Sequence, residues 1–463
     1  MLLLLVEGEV GLEIFRAYDV RGIYGEELSP EIGYEIGLAF GHFMGEKKKL
    51  SVARDVRLSS PVLEYALKAG MLASGMDLVA LGVQPTPLLY FSIAHLDLSG
   101  GAMITASHNP PEYNEIKLCR EKAFSLTYES GIGEIKKQVS EGHLRSQNWS
   151  SLGKENPFDI RPIYETYLEE RIKLARKIKI VVDAGNGTCG FVGDMFARMG
   201  CEVEWVFKEP DGRFPNHIPN PLIEETLQTL KRKVVESHAD MGVAFDGDGD
   251  RVGFVDEKGF AVKADQIMMI FAEALAKENK RPRILFDVAT SKAVPEYIQS
   301  VGGEPLMTRV GHSYVMEALH SKKGIMAAEI SGHYYFADDY YGFDDGIYAA
   351  ARMMEILSRS SSMLSETVRR LPSYVSTPEE RIHCADEKKF DIVEKVKQQL
   401  QLERHRTIDI DGVRIELEDA WGLIRASNTE PAIALRFEGK TLRALRNVEA
   451  IAKKALDVAM RNN

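Results

Sequence analysis

Short apolar runs alternate with longer amphipathic stretches along the first 370 residues of the chain. The runs are rich in β-branched residues, as in LSVAR at 50–54, IKIVV at 178–182 and RILF at 283–286. Continuous apolar runs of this length are typical of strands that helices cover on both faces. Because they alternate with helical stretches, the pattern predicts βαβ units built around parallel-rich sheets.

The same plan occurs three times, and the repetition predicts three similar α/β/α domains in tandem. Each copy starts with a strand that ends at an aspartate, namely Asp55, Asp183 or Asp287. It continues through a helix, a strand and a second helix to a third strand, which runs into a polar loop. The loops are TASHNP at 105–110, DGDGDR at 246–251 and AEISGH at 328–333. Since ligands of open α/β sheets gather at the carboxyl ends of strands, the loops are predicted to share one cleft. The alternative is three independent domains with unrelated turns.

The chain beyond about Leu371 follows a different pattern. An amphipathic helix (DIVEKVKQQLQ), a strand-rich stretch and a closing helix predict a small α+β domain, with a polar loop, RASNTEP, at 425–431. The predicted fold class is therefore α/β, with three tandem α/β/α domains of mixed, parallel-rich sheets plus a C-terminal α+β domain, four domains around a central cleft. The predicted domain boundaries are 1–155, 156–256, 257–370 and 371–463.

Composition narrows the class of partner. The formal net charge of the 463 residues is −11, which argues against nucleic acid or an acidic membrane as a partner, since both need a broad basic surface. A small anionic ligand needs only a local cluster of Arg and Lys. The four cysteines are widely spread, so neither a zinc site nor a disulfide framework is indicated.

The first residues, MLLLLVEGEVGLE, lack a basic segment before their apolar run, and the run is too short to span a bilayer. We therefore expect a cytoplasmic protein. Further along, YGFDDG at 341–346 precedes a strong helical pattern, so Asp344 or Asp345 is predicted to be an N-cap rather than a ligand.

The DGDGDR loop carries the clearest chemistry. Asp246, Asp248 and Asp250 alternate with glycines, and carboxylates this close raise one another's pKa unless a cation is bound. Oxygen ligands in this number suit Mg2+ or Ca2+. An EF-hand is disfavoured because Arg251 occupies the position of its invariant glycine and the flanks are strand-like. A plain acidic turn without metal is the other alternative.

The remaining loops are weaker signals when taken singly. Ser107 and His108 are adjacent and lack a GxSxG elbow, so TASHNP alone predicts a turn. Glu329, Ser331 and His333 alternate along an extended segment, which predicts a hydrogen-bonding comb for sugar hydroxyls or, alternatively, a half-buried edge strand. RASNTEP offers a guanidinium, hydroxyls and an amide for a phosphate, or is only a hairpin turn. Near the N-terminus, FRAYDVRG places Arg21 where it can reach a phosphate.

The four loops in this order, together with FRAYDVRG and GFDDG, resemble the α-D-phosphohexomutase family over essentially the whole chain. Within it, the chain looks like the phosphomannomutase/phosphoglucomutase branch. The resemblance implies that Ser107 carries a phosphoryl group. It also implies a Mg2+ ion held by Asp246, Asp248 and Asp250, with Ser107 completing the metal set.

The implied activity is the interconversion of hexose 1-phosphate and hexose 6-phosphate, of mannose and/or glucose, through a hexose 1,6-bisphosphate. The bisphosphate would act as activator and intermediate, and the enzyme would be a monomer or homodimer. The catalytic residues implied are Ser107, His108, Arg21, Lys117 and His312. The substrate-binding residues implied are Tyr18, Arg251, Glu329, Ser331, His333, Arg425, Ser427, Asn428 and Thr429.

One position departs from the family pattern. The third repeat usually has a Lys or Arg two residues after its strand-end aspartate, but here that residue is Ala289. Either Lys292 replaces the cation or the site lacks it, which puts the substrate preference in question. The alternatives are a phosphoglucosamine or phosphopentose mutase, a non-catalytic phosphosugar-binding protein, and a phosphatase if water reaches the phosphoserine.

Overall fold

The computed structural model describes residues 12–427 and 431–461. They form two compact units. The first contains the described residues up to Ala261 together with Phe343–Ser361, and the second contains Val262–Gly342 and the described residues from Ser362 onward. No helix in the described part of the chain is long and apolar enough to cross a bilayer. The segment MLLLLVEGEVG and residues Asn428 and Thr429 lie outside the described residues.

The first domain is a mixed sheet with flanking helices. Its strands are β1 (Val20–Ile23), β2 (Lys49–Arg54), β3 (Asp77–Val83), β4 (Gly100–Ile104), β5 (Tyr113–Arg120) and β6 (Glu155–Pro157). Its helices are α1 (Pro30–Met44), α2 (Ser60–Ala73), α3 (Thr86–His95) and α4 (Gly133–Glu141). The strand order is β1-β5-β4-β2-β3-β6. Residues 50–53 of β2 are all buried, as its continuous apolar run predicted.

The second domain repeats this plan in the same unit. It contains α5 (Arg161–Arg171), β7 (Ile178–Asp183), α6 (Val192–Arg198), β8 (Cys201–Val206), α7 (Gln228–Ser237), β9 (Met241–Phe245), β10 (Val252–Asp256) and β11 (Ala261–Val262). The strand order is β11-β10-β9-β7-β8.

The third domain opens the second unit. It contains α8 (Ala264–Glu278), β12 (Arg283–Asp287), α9 (Ala293–Ser300), β13 (Glu304–Thr308), α10 (His312–Ser321), β14 (Met326–Ala328) and β15 (Tyr334–Phe336). The strand order is β13-β12-β14-β15.

Helix α11 (Gly346–Arg359) follows the third domain in sequence but packs against β7, β9 and β10 of the second. Asp345 is its N-cap, as predicted, and accepts a hydrogen bond from the Tyr348 amide. Asp345 also accepts from the Tyr164 hydroxyl at 2.9 Å, and Glu355 accepts from the Lys173 amide at 3.0 Å. The chain thus returns to the second domain at α11, although the predicted third domain, 257–370, includes this helix.

The C-terminal part of the second unit is an antiparallel sheet with two long helices, as its pattern predicted. The elements are α12 (Leu364–Arg370), β16 (Val375–Ser376), β17 (Glu380–His383), α13 (Asp386–Leu402), β18 (Thr407–Ile408), β19 (Val413–Glu416), β20 (Ala420–Ala426), β21 (Ala432–Gly439) and α14 (Leu442–Arg461). Helices α13 and α14 pack on β20 and β21 around a core that includes Val396, Leu435 and Val448.

The predicted threefold repeat is confirmed at the level of strand order. In each α/β/α domain the strand that ends at the aspartate (β2, β7 or β12) lies between the next two strands of the repeat, which we count as its second and third. A fourth strand (β5, β10 or β15) runs antiparallel beside the third. The polar loops connect the third strand to the fourth, so they lie at the carboxyl end of the third strand. The aspartates Asp55, Asp183 and Asp287 each accept the backbone amide two residues further on, at 2.9, 2.9 and 2.7 Å. The repeat therefore includes the same type of aspartate turn in all three domains.

The crossing of α1 and α2 requires a glycine at Gly37 of α1. A Cβ added at Gly37 would overlap the Leu67 carbonyl oxygen, whereas one added at Gly33 would meet its nearest atom, Ala66 Cβ, at an ordinary 3.5 Å. We expect Gly37→Ala to destabilise the first unit by about 1–3 kcal/mol, the usual cost of overpacking. Gly33→Ala is the matched control, since it gains up to about 1 kcal/mol of helix propensity without a clash. Equal thermal midpoints for the two variants, measured by circular dichroism, would contradict this packing.

Candidate active site

Ser107 lies where β4 ends. The strand is buried along its whole length, and two residues after Thr105 the backbone of Ser107 adopts the left-handed conformation, with φ of 48°. The hydroxyl donates to Asp246 Oδ2 at 2.6 Å and lies 3.2 Å from His108 Nδ1. The segment is a turn, since the Asn109 amide donates to the Ala106 carbonyl at 2.8 Å, and this turn directs the serine at the acidic loop.

The acidic loop gathers the three predicted carboxylates. Asp246, Asp248 and Asp250 are buried, and each offers an oxygen within 4.8 Å of the others. The flanking elements are the antiparallel strands β9 and β10, which supports the rejection of an EF-hand. Burial raises the pKa of Asp246 well above its usual range, and the charges of Asp250 and Asp248 raise it further.

Cations and a hydroxyl partly balance this charge. Lys117 on β5 donates to Asp248 Oδ2 at 3.2 Å and to Asp250 Oδ2 at 2.6 Å. Burial lowers the pKa of Lys117, but the two carboxylates more than offset this effect and keep the amine charged. The Thr86 hydroxyl donates to Asp248 Oδ2 at 2.6 Å, and Arg251 Nε lies 4.0 Å from Asp246 Oδ2.

The cluster fits a metal ion. Asp248 Oδ1 is buried and has no hydrogen-bond partner among the described residues, although its second oxygen accepts from both Lys117 and Thr86. A buried carboxylate oxygen without a partner is costly, and a hard cation would satisfy it. The set consists of oxygen ligands with glycines between them, as Mg2+ and Ca2+ prefer.

Arg21 forms a second charged group on the same sheet. It lies on β1 opposite Glu115 of β5, and its Nη2 is 2.7 Å from Glu115 Oε2 and 2.8 Å from Asp19 Oδ2. Its Nη1 donates to Asn109 Oδ1 at 3.2 Å, which connects Arg21 to the serine loop. Burial lowers the pKa of Arg21, but Asp19, Glu115 and Tyr18 more than offset it. The guanidinium is therefore a fixed cation.

The predicted comb at Glu329, Ser331 and His333 is wrong in its geometry. The segment is a tight turn between β14 and β15, in which the Glu329 amide donates to the His333 carbonyl at 3.0 Å. Gly332 has φ of 84° and reverses the chain, so the segment is neither extended nor an edge strand. The side chains still meet, because Ser331 Oγ lies 2.8 Å and Glu329 Oε2 3.3 Å from His333 Nδ1.

Glu329 is the fixed carboxylate of this turn. Its oxygens accept from the Gly311 amide at 2.8 Å and the Tyr335 hydroxyl at 2.7 Å. Burial raises the pKa of Glu329, but the hydrogen bonds from His333, Tyr335 and Gly311 outweigh it and lower the pKa to about 2. His312 is the first residue of α10, and its ring centroid is 6.2 Å from that of His333. The second unit therefore brings Glu329, both histidines and Ser331 together.

The predicted phosphate loop is described at its two ends only. Arg425 lies in β20, with Nε 3.5 Å from Asp411 Oδ2, and the Ser427 amide donates to the Ala432 carbonyl at 2.9 Å. Asp411 Oδ2 also accepts from the Val310 amide at 3.1 Å. Asp411 thus joins Arg425 to the segment that leads into Gly311 and α10.

Lys292 does not take the place of the cation that is missing at Ala289. Its ammonium donates to the Leu417 carbonyl at 2.7 Å and lies 3.4 Å from Glu416 Oε2. Ala289 is buried in an apolar cluster with Val288, Trp421 and Leu423. These contacts of Lys292 favour the alternative in which the turn after β12 lacks the cation.

Sequence reasoning missed the residues that hold the predicted ones. Glu115 and Asp19 fix Arg21, Asp411 approaches Arg425, and Arg57 contacts the serine loop. Glu115 lies two residues before Lys117 in an alternating strand, so both side chains share one face, and this spacing was an available signal. Asp411 gave none beyond its position in a turn, DIDG.

Comparisons with known proteins agree with this geometry. The family model described as "Phosphoglucomutase/phosphomannomutase, alpha/beta/alpha domain I" matches residues 12–145. The corresponding models for domain II, domain III and the C-terminal domain match residues 163–259, 263–374 and 379–455.

Relatives that match nearly the whole chain indicate the same family as these models. The chain is 39% identical to a phosphomannomutase/phosphoglucomutase of Pseudomonas syringae pv. tomato, over 95% of this chain and 94% of that protein. It is 36% identical to a phosphoglucomutase of Neisseria gonorrhoeae, over 96% of this chain and 97% of that protein. A crystal structure of a phosphoglucomutase/phosphomannomutase family protein from Burkholderia thailandensis superposes with a TM-score of 0.90 at 36% identity, covering 97% of this chain and 98% of that one. These matches confirm the resemblance that the four loops indicated: the chain belongs to the phosphoglucomutase/phosphomannomutase family.

Proposed function

We propose that this chain is a phosphohexomutase that interconverts the 1-phosphates and 6-phosphates of mannose and/or glucose. The observation that carries the proposal is the serine of a left-handed turn, Ser107, with its hydroxyl 2.6 Å from one carboxylate of a buried triad. A hydroxyl beside three carboxylates is poorly placed to attack a carbonyl. It is well placed to carry a phosphoryl group that shares a cation with those carboxylates.

The residues that would hold Mg2+ are Asp246, Asp248 and Asp250, with Ser107 or its phosphoryl oxygen as a further ligand. The unpartnered Asp248 Oδ1 and the hard oxygen donor set support this assignment. When bound, the ion would supply charge neutralisation to the transferring phosphoryl group. Lys117 would orient the carboxylates from one side, and Arg251 would hold a phosphate oxygen of the substrate.

The proposed cycle contains two transfers. In the first, phospho-Ser107 donates its phosphoryl group to the 6-hydroxyl of a hexose 1-phosphate. The bond from Ser107 Oγ to phosphorus breaks as the bond from O6 forms, and the O6 proton passes to a base. In the second, the hexose 1,6-bisphosphate has turned around, and Ser107 Oγ has taken up a proton after losing its phosphoryl group. The bond from O1 to phosphorus breaks as the bond from Oγ forms, the Oγ proton passes to a base, and O1 takes up a proton. The 6-phosphate is left, and added bisphosphate would act as the activator that phosphorylates Ser107.

The fixed cations limit the choice of proton carrier. Arg21 and Lys117 are among the catalytic residues that the resemblance implies, and their raised pKa values favour electrostatic roles for both over proton transfer. His108, with Nδ1 3.2 Å from Ser107 Oγ, is our first choice for holding the serine proton. His312 is the second candidate for carrying a proton.

The remaining assignments concern the substrate. Two sets of groups suit a ligand that must bind in two orientations: a fixed cation for the phosphate that is not reacting, and hydrogen-bonding groups for the sugar. We assign the sugar to Glu329, Ser331 and His333, and the non-reacting phosphate to Arg425, Ser427, Asn428 and Thr429. Tyr18 and Arg21 are further candidates for contact with the substrate. We further propose a cytoplasmic monomer or homodimer without nucleic-acid or membrane partners.

The direct test is the product formed from each sugar. Mannose 1-phosphate, glucose 1-phosphate and glucosamine 1-phosphate are incubated separately with enzyme, Mg2+ and a trace of hexose 1,6-bisphosphate, and 6-phosphate formation is followed. We expect conversion of the mannose and/or glucose ester. Conversion of glucosamine 1-phosphate alone would instead support a phosphoglucosamine mutase, and release of free phosphate would indicate a phosphatase. Binding without any product would support a phosphosugar-binding protein.

Replacing Ser107 separates transfer from binding. We expect Ser107→Ala to lower kcat by at least about 10³-fold, because the variant has no oxygen to accept the phosphoryl group. Calorimetric affinity for glucose 1-phosphate should stay close to that of the wild type. Ser140→Ala is the control, since Ser140 is exposed on α4. Loss of binding or of folding in Ser107→Ala would show that Ser107 is structural.

Removing the metal tests the carboxylate assignment. Chelation followed by desalting should abolish isomerisation without a change in the circular dichroism spectrum, and added Mg2+ should restore it. Asp248→Asn should raise the Mg2+ concentration needed for half-maximal rate by at least about 10-fold. The control is Asp194→Asn, at an exposed carboxylate paired with Lys208. Full activity after chelation would refute the metal site.

A further inference from the structure

Arg57 is a fully buried arginine with contacts to the serine loop. Its Nη2 donates to the carbonyls of Ser107 at 3.1 Å and Asn109 at 2.7 Å. Its Nη1 donates to the carbonyls of Pro110 at 2.5 Å and Tyr113 at 3.2 Å. One guanidinium therefore binds four backbone carbonyls within a stretch of seven residues.

The charge of Arg57 is balanced on its other side. Its Nε donates to Asp55 Oδ2 at 3.0 Å, so all five donors of the guanidinium are used. Asp55 is itself fixed, since it accepts from the Arg57 amide and from the Ser60 hydroxyl. Phe214 covers the guanidinium with its ring centroid 5.1 Å away. The side chain is thus held rigidly in a low-dielectric environment, where such hydrogen bonds are strong.

The loop needs this support because Ser107 is in an unfavourable backbone conformation. A left-handed φ is uncommon for a residue other than glycine, and it persists only where the surroundings fix it. Here the Arg57 bond to the Ser107 carbonyl fixes one side, and the Ser107 amide donates to Thr105 Oγ1 at 3.0 Å on the other. The result is the placement of Ser107 Oγ against Asp246.

We propose that Arg57 is a positioning residue for phosphoryl transfer, which holds Ser107 in the left-handed conformation that aims its hydroxyl at the acidic loop. The inference rests on the proposed role of Ser107 as phosphoryl carrier. Ser107 alternates between hydroxyl and phosphoserine in that cycle, so the loop must keep one backbone geometry while its charge changes. The planar guanidinium of Arg57 binds four loop carbonyls at once and so meets this requirement. A lysine at this position has only three donors and could not bind all four.

The neighbouring Arg54 provides a matched control. It is the last residue of β2, pairs with Glu64 at 2.9 Å and donates to the Asp55 carbonyl at 3.0 Å, and neither of these contacts involves the serine loop. We expect Arg57→Lys to lower kcat by about 10²-fold, the effect of misplacing a reacting group by about 1 Å, with KM nearly unchanged. Arg54→Lys should keep both constants. Equal loss in the two variants, or a change in KM alone, would overturn the proposal.

A second measurement separates this inference from the proposed function. Hydrogen–deuterium exchange of Arg57→Lys should be faster than in the wild type within residues 105–113 and unchanged over the second unit. This result does not depend on any substrate, so it tests the clamp even if the wild type produces no isomer. Unchanged exchange in 105–113 would refute the clamp, whereas the absence of isomer from the wild type would refute the proposed function alone.

If Arg57→Lys fails to fold, Phe214→Leu tests the positioning role of Arg57 with a smaller structural change. It removes the aromatic face and leaves every polar partner of Arg57 in place. We expect a smaller fall in kcat, several-fold rather than about 10²-fold, with KM unchanged and with faster exchange again confined to 105–113. Wild-type kcat together with wild-type exchange in Phe214→Leu would contradict the proposal.

Discussion

The main constraint on the first unit is that the repulsion among three buried carboxylates must be compensated. Asp246, Asp248 and Asp250 have lost most of their contact with water, and like charges in such a place are unfavourable unless cations and donors face them. The structure supplies Lys117 from one strand and Thr86 from the start of α3. This compensation comes from the first domain, so the acidic loop of the second domain fixes how the two domains of the unit pack.

The threefold repeat explains why chemistry gathers in the loops. Each domain uses the same aspartate turn after its first strand and the same antiparallel return after its third, so each polar loop is anchored on both sides by strands. A scaffold that is this regular leaves the loop sequence free to differ. The first loop carries the Ser107 hydroxyl, the second carries carboxylates, and the third carries a carboxylate with one imidazole. Separate roles on equivalent positions follow from the architecture, because the backbone support is common to all.

Much of the fold and part of the site could be predicted from sequence. Strand runs, the repeat, the loops and the N-cap at Asp345 are local signals, and they were found. The misses share a different property. Helix α11 lies after the third domain in sequence but on the second in space, and Arg57 reaches residues some 50 positions away. Such placements depend on tertiary packing, and the residues that are adjacent in sequence carry little information about it. The comb predicted at 329–333 is wrong because alternating polar residues predict an extended segment, whereas Gly332 with φ of 84° bends the segment into a turn.

Each predicted phosphate-binding cation whose partners are described already faces a carboxylate. Arg21 is fixed by Asp19 and Glu115, Arg251 lies about 4 Å from two of the acidic triad, and Arg425 faces Asp411. A phosphate that binds there must share a cation with its partner, so the gain in charge attraction is smaller than for an isolated arginine. However, the arginine side chains are already ordered by these carboxylates, so binding a phosphate costs less conformational entropy. The proposed intermediate, which would have to turn around without escaping, would need contacts that form readily and that break readily enough for the sugar to bind the other way. Ala289 fits the same reasoning, because a turn after β12 without a cation has one less charge to hold the proposed bisphosphate in place.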